Sequence, residues 1–255
     1  MIRLFLTFIV TLAPIFATAD EQVVAGLSQN RVAITSNFDG TGILIFGAVK
    51  RVSPPPDDWP LQVIITVSGP RTPVVVRRKE KWLGIWVNTD SVNVDLAPSF
   101  YAVATTAPLN QVLSEVENLR HKISVDHLIR SVGVVESVPD AGKFSEAIVR
   151  IRQQNGLYTE SAGIVDLTDE TLFRTQISLP ANLVEGNYLT RIFLTRDRRI
   201  VDAFTTNIFV RKVGLERWIF NLAHQQPLIY GILSLAIAIL AGWAASAIFR
   251  LLRLN

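Results

Sequence analysis

Twenty-two consecutive residues without a charge, Leu228 to Phe249, constrain this chain more than any other feature. A helix of that length, rising about 1.5 Å per residue, extends roughly 33 Å, enough to cross a bilayer core of about 30 Å. Pro227 stands at its start, where a missing N–H costs nothing. Arg250 and Arg253 follow its end. The pattern predicts one membrane-spanning helix over 228–249 with a short tail, 250–255. With no charge inside the span, an ion or proton path along it is not expected.

The other end of the chain reads as a secretory signal over 1–19. Arg3 supplies the positive start, Leu4 to Leu12 the apolar stretch, and Ala17-Thr18-Ala19 the small-x-small pattern before Asp20. An uncleaved anchor is the alternative, and either places the chain from Asp20 onward across the membrane. The expected arrangement is a bacterial inner-membrane protein with one span, its N-terminal domain in the periplasm and its C-terminus in the cytoplasm. Arg211, Lys212 and Arg217 flank the outer side, so the signal, rather than the count of positive charges, sets this orientation.

Charge excludes one class of function. The chain has 25 basic and 22 acidic residues. Arg3, Arg250 and Arg253 lie outside the exported part, which leaves 22 of each and no net field for nucleic acid. There is no cysteine, so thiolate chemistry and disulfides are both absent.

Between the ends, 20–106 reads as β-rich, 107–158 as mostly helical, and 159–212 as a second β region. Short alternating runs such as Arg31–Thr35, Ile43–Val49, Leu61–Ser68 and Phe100–Thr105 are separated by turn signals at Asp39–Gly42 and Gly69-Pro70 and by the proline loop 53–58. Val63, Ile65 and Val67 fall on one face. Val112, Val116, Leu119 and Ile123 recur at helical spacing, as do Phe144, Ile148 and Ile151. Asp140 is the expected cap of the second helix and Asn155-Gly156 its stop. Leu172–Leu179 reads as a strand, and Leu189–Thr195 with Ile200–Val210 as a hairpin around 196–199. The loop ending Gly186-Asn187-Tyr188 resembles the tyrosine corner of immunoglobulin-like sandwiches. The expected fold is therefore mainly β, an immunoglobulin-like β-sandwich with a helical middle segment. Whether the two β regions form one sandwich or two stays open. Over 213–227, Leu215, Trp218, Ile219 and Leu222 share one helical face, as in an amphipathic helix lying at the membrane surface; packing on the β domain is the alternative. Trp218, Tyr230, Arg250 and Arg253 are the expected interface residues.

Few residues carry chemistry. His121 and His127 are six apart and no H-E-x-x-H occurs, so neither a metal nor another cofactor is expected. Asp166, Asp169 and Glu170 are the least poor acidic site for a hydrolase, but turns attract such residues. No catalytic residue is assigned. Two interaction surfaces stand out instead. If 81–88 is one strand, Trp82, Gly84 and Trp86 share a face beside the basic run 77–81 and form an aromatic platform, unless other segments cover it. In the span, Ser234, Ala238, Gly242 and Ser246 form a small-xxx-small stripe that lets a second helix approach closely.

The blocks VRRKEKWLGIWVN (76–88), PSFYAV (98–103), GLY (156–158), TLFRT (171–175), VRKVGLERWIFNLAH (210–224), PLIYG (227–231) and AGW (241–243) together resemble an uncharacterised alphaproteobacterial family of predicted transmembrane proteins. The resemblance covers the chain after the signal. It implies an exported β-rich domain and one C-terminal span, and a place beside permeases of the sulfite/organosulfonate exporter type; it assigns no functional residues. The expected function is that of a non-enzymatic accessory or interaction protein bound to the lipid bilayer, with an integral membrane partner or self-association through the span. The alternatives are a periplasmic ligand- or envelope-binding module merely tethered by the span and, less favoured, a periplasmic hydrolase.

Overall fold

The computed structural model describes residues 21–35, 37–51, 54, 59–129 and 141–253. The signal over 1–19, most of the proline loop, the Asp140 cap and the last two tail residues lie outside them.

The six-stranded sheet at the centre explains the longest apolar runs. Its order is β2 (Arg31–Ile34), β12 (Arg199–Lys212), β11 (Gly186–Arg196), β4 (Gln62–Ser68), β7 (Tyr101–Thr105), β8 (Tyr158–Ala162). A four-stranded sheet, β1 (Gln22–Leu27), β3 (Gly40–Lys50), β10 (Leu172–Pro180) and β9 (Asp166–Thr168), covers one face. Ile43, Ile45, Phe173 and Ile177 from the smaller sheet meet Val63, Ile65, Val67, Ile192 and Ile208 from the larger one. Along one edge the sheets close on each other: the Val23 amide donates to the Asp202 carboxylate at 2.7 Å. The result is a mainly β domain, a curled half-barrel with one apolar core between its two sheets.

Strands from both β regions of the sequence share these sheets. β4 pairs with β11, and β3 with β10. Neither region therefore has a core of its own.

The helical segment is the crossover between two parallel neighbours, β7 and β8, a connection that antiparallel hairpins cannot supply. Its helices are α1 (Leu109–Val112), α2 (Glu115–His121) and α3 (Ala141–Gln154). They cover the outer face of the six-stranded sheet, where Ile64, Tyr101, Val103 and Phe193 meet Val112, Ile123, Val125 and Ile148. The Tyr101 hydroxyl donates to the Ile123 carbonyl at 2.7 Å, and the Arg191 guanidinium to the carbonyl of His121 at 2.9 Å. Burial pushes the phenols of Tyr101 and Tyr158 upward, that of Tyr158 to about 12. β4 is thus buried on both faces, not only on the face of Val63, Ile65 and Val67.

The stripe Val112, Val116, Leu119 and Ile123 does not form one helix face. Ser114 caps α2 by accepting from the Glu117 amide, and Lys122, in the left-handed region, ends it. The two breaks re-aim the stripe: Val112 and Ile123 are buried, whereas Val116 and Leu119 are exposed. Gly156, with φ +67°, ends α3 as expected, and the Leu157 amide returns to the Arg152 carbonyl at 2.8 Å. The Tyr188 hydroxyl donates to the Val184 carbonyl at 2.8 Å, which is the tie expected from the Gly-x-Tyr loop.

Beyond β12 come α4 (Leu215–Gln225) and α5 (Pro227–Arg253). Residues Pro227–Arg250 of α5 are long and apolar enough to cross a membrane, and none of that window is buried in the domain.

Candidate interaction surfaces

The aromatic platform is built differently from the single strand expected over 81–88. β5 (Arg71–Trp82) and β6 (Ile85–Pro98) form a separate two-stranded sheet, and the chain reverses at Leu83-Gly84. Both turn residues have positive φ, +49° and +89°, as a two-residue hairpin requires. Trp82 pairs with Ile85, and Lys81 with Trp86. Directly opposed residues project to the same face, so Trp82 and Trp86 lie on opposite faces of the ribbon. The structure does not place them side by side. Both remain exposed, at 68% each, with Ile85 at 66% and Leu83 at 93%.

This ribbon is an extension of the central sheet. The β4–β7 ladder pairs Ser68 with Tyr101. It continues through the Gly69 amide to the Phe100 carbonyl and the Ser99 amide to the Pro70 carbonyl, each 2.8 Å, and reaches Arg71 opposite Pro98 in the same register. The register slips only at Pro73, which has no N–H to give, and again after Arg78. The inner half is packed. Val94 and Ala97 are fully buried beneath the helical layer, and the Arg78 guanidinium lies over the Phe144 ring at 5.8 Å and pairs with Asp90. The outer half, beyond Lys79, is exposed except for Val87.

The C-terminal helices present the second surface. Trp218, Ile219 and Phe220 on α4 are exposed, and His224 stacks on Phe220 with ring centroids 4.0 Å apart. Tyr230 lies in the first turn of α5, and Arg250 and Arg253 in its last. Ser234, Ala238, Gly242 and Ser246 are all exposed along α5. A Cβ added at Gly242 meets nothing within 4 Å, and the Ser234 hydroxyl returns to the Gly231 carbonyl at 2.9 Å.

The acidic turn separates. Asp166 pairs with Arg174 at 2.9 Å across the β9–β10 hairpin. Glu170 turns inward to Arg196, 3.2 Å away. Arg196 also grips the Glu21 carboxylate at 2.8 Å and donates to the Trp59 carbonyl, and Arg51 completes the cluster at 2.8 Å from Glu21. Burial raises the Glu21 pKa, but hydrogen bonds and charge from Arg196 and Arg51 outweigh it and hold the carboxyl below its ordinary 4.5. This cluster joins residues 175 apart in sequence, which no local pattern signals.

A cleft of about 520 Å³ lies beside α1 and α2, lined by Glu115, Asn118, Ser124, Asp126, His127 and Glu160, among others. His127 Nε2 is 2.7 Å from Glu115 Oε1. Burial raises the Glu160 carboxyl, the Val125 backbone hydrogen bond opposes it, and Asp126 adds to the rise. His121 instead approaches Glu117 at 3.4 Å and packs on Phe193. Among the described residues no group of three or more His, Cys, Asp or Glu is arranged to hold a metal ion.

With this architecture in place, residues 22–251 match the model of the family described as "Putative transmembrane protein (Alph_Pro_TM)". The chain belongs to that family. The match runs from the first strand to the last turns of α5, so the β-rich domain and the membrane-spanning helix are one family unit. No curated protein matches the chain.

Proposed function

We propose that this family member is a non-enzymatic, membrane-anchored accessory or interaction protein. Its β-rich domain is held in the periplasm at the inner membrane, and its C-terminus is cytoplasmic. The observation that carries the reading is a division of labour. The domain completes its two apolar cores without α5, and the whole apolar window of α5 is left uncovered. A helix that the fold does not need serves to hold the domain at the bilayer and to meet other helices there. The exposed faces of α4, with Trp218 and Ile219, support its lying at the membrane surface. The Tyr188 tie and the two facing sheets, antiparallel except at the two edges of the larger one, support an immunoglobulin-like reading of the strands in 20–106 and 159–212, with 107–158 as an inserted crossover.

The proposed partner is an integral membrane protein, and the family resemblance points to a permease of the sulfite/organosulfonate exporter type. Self-association through the span is the other form. Affinity purification from membranes in mild detergent tests this, with Gly242→Leu as the variant. Nothing in the chain itself opposes a side chain there, so loss of a co-purified partner reports a helix–helix contact. Recovery of the protein alone, unaffected by Gly242→Leu, would count against the proposal.

The cleft holding His127, Glu115 and Glu160 favours a second reading, a ligand-binding module for which the span is only a tether. A soluble form comprising residues 21–212 that retains full function in cells lacking the native protein would select it.

A further inference from the structure

The outer half of the β5–β6 ribbon carries large apolar side chains that the domain does not use. Leu83 is the clearest case. Its backbone sits at φ +49°, a conformation that asparagine or aspartate adopts more cheaply, and its side chain is 93% exposed. Neither local geometry nor packing calls for leucine there.

The surroundings are cationic. The side chains of Arg77, Lys79 and Lys81 make no ion pair or hydrogen bond among the described residues, whereas Arg78 is already neutralised by Asp90 and Glu80. Lys79 and Lys81 share a face with Trp86.

Strand directions show where the ribbon starts. β4 and β12 both run antiparallel to β11, hence parallel to each other. β4 ends at Ser68, next to Leu189; β12 passes Gly186 at Val210 and leaves the sheet at Lys212, still paired with β2. The ribbon and the chain leading to α5 therefore depart from the same end of the same sheet. From Lys212, the start of α5 is no more than about 30 Å away, because one 11-residue helix and three further residues intervene. The ribbon, with 12 residues in β5, extends about 40 Å. It is long enough to return to the surface that α5 enters.

We infer that the ribbon tip is a second membrane contact: Trp82, Leu83, Ile85 and Trp86 seat among the lipid headgroups, and Arg77, Lys79 and Lys81 face anionic lipid. This rests on the reading of α5 as the anchor. A bilayer suits the tip better than a protein groove does. The apolar side chains project from both faces and from the turn, and an inserted tip is surrounded on every side, whereas a groove covers one face. Tryptophan prefers the interfacial layer, and basic residues just behind an apolar tip match a negative surface.

The absence of native cysteine makes the test direct. Full-length protein carrying one fluorophore at Leu83→Cys is placed in vesicles of equal parts phosphatidylcholine and phosphatidylglycerol, some bearing a nitroxide on the acyl chain. Asp169→Cys, on the β9–β10 turn, serves as the distant control, and Ala238→Cys reports on the anchor itself. The nitroxide is expected to quench Leu83→Cys strongly and Asp169→Cys little. Adding Lys79→Glu and Lys81→Glu, or omitting phosphatidylglycerol, should lower the ratio of seated to free tips roughly tenfold. Quenching at Leu83→Cys no greater than at Asp169→Cys would overturn the inference. If Ala238→Cys is quenched in that same sample, the anchor stands and only the tip contact fails. Burial of the Leu83→Cys label only after a second membrane protein is added would also overturn it, in favour of a protein occupant.

Discussion

At one end of the six-stranded sheet, Glu21, Arg51, Glu170 and Arg196 meet beneath the strand termini; at the other, β4 and β7 run on past the last core residue into solvent. The first end is closed by charge. Its two carboxylates and two guanidiniums satisfy one another and the Trp59 carbonyl, as buried ions must. The second end is left open and extended, with exposed tryptophans where the first has buried arginine. The contrast separates two duties within one sheet. The closed end holds together segments from the start, middle and end of the domain, and the open end carries both the ribbon and the connection to the anchor.

Three changes would break or sharpen this contrast. The largest effect is expected at the root of the ribbon. Val94 is fully buried, so Val94→Asp, which places an unpaired charge beneath the helical layer, should cost about 4 kcal/mol and be visible in chemical denaturation. Next comes the closed end. Glu21→Gln leaves Arg196 and Arg51 short of their main counter-charge and should cost about 3 kcal/mol. Its pH dependence has a definite sign. The folded-state pKa of Glu21 lies below 4.5, so its stabilisation is complete above that value and is lost as pH falls through the folded pKa. Thermal melts should show the native protein losing stability in that acid range and Glu21→Gln losing less. The smallest effect belongs to the tip. Trp82→Ser with Trp86→Ser should change folding stability by less than about 0.5 kcal/mol, because neither ring packs on the domain. A large loss of stability there would mean that the outer ribbon belongs to the core after all.

How much could be read in advance followed the range of the interactions. β10 alternates buried and exposed along its length, and that period is visible in the sequence. The Tyr188 tie and the Gly156 helix stop are likewise local. The hairpin at Leu83-Gly84 was hidden because leucine is not a residue that marks a left-handed turn, so Trp82 to Val87 reads as one strand. The double burial of β4 arises from the crossover helices, which lie far along the chain. The Arg196 cluster depends on a contact between the first described residue and the last hairpin. In each of these cases tertiary packing, rather than periodicity, decides the outcome.

One pairing bears on how the molecule is made. β2, near the start of the chain, lies beside the last four residues of β12, from Phe209 to Lys212. A ribosome must therefore have synthesised almost the whole domain before β2 can find its place, whereas β1 pairs with the nearby β3. Loops this long are slow to close. Because α4 and α5 follow directly, the final strand would enter the sheet at about the time the anchor is made. Folding of this domain should thus end, rather than begin, beside the membrane.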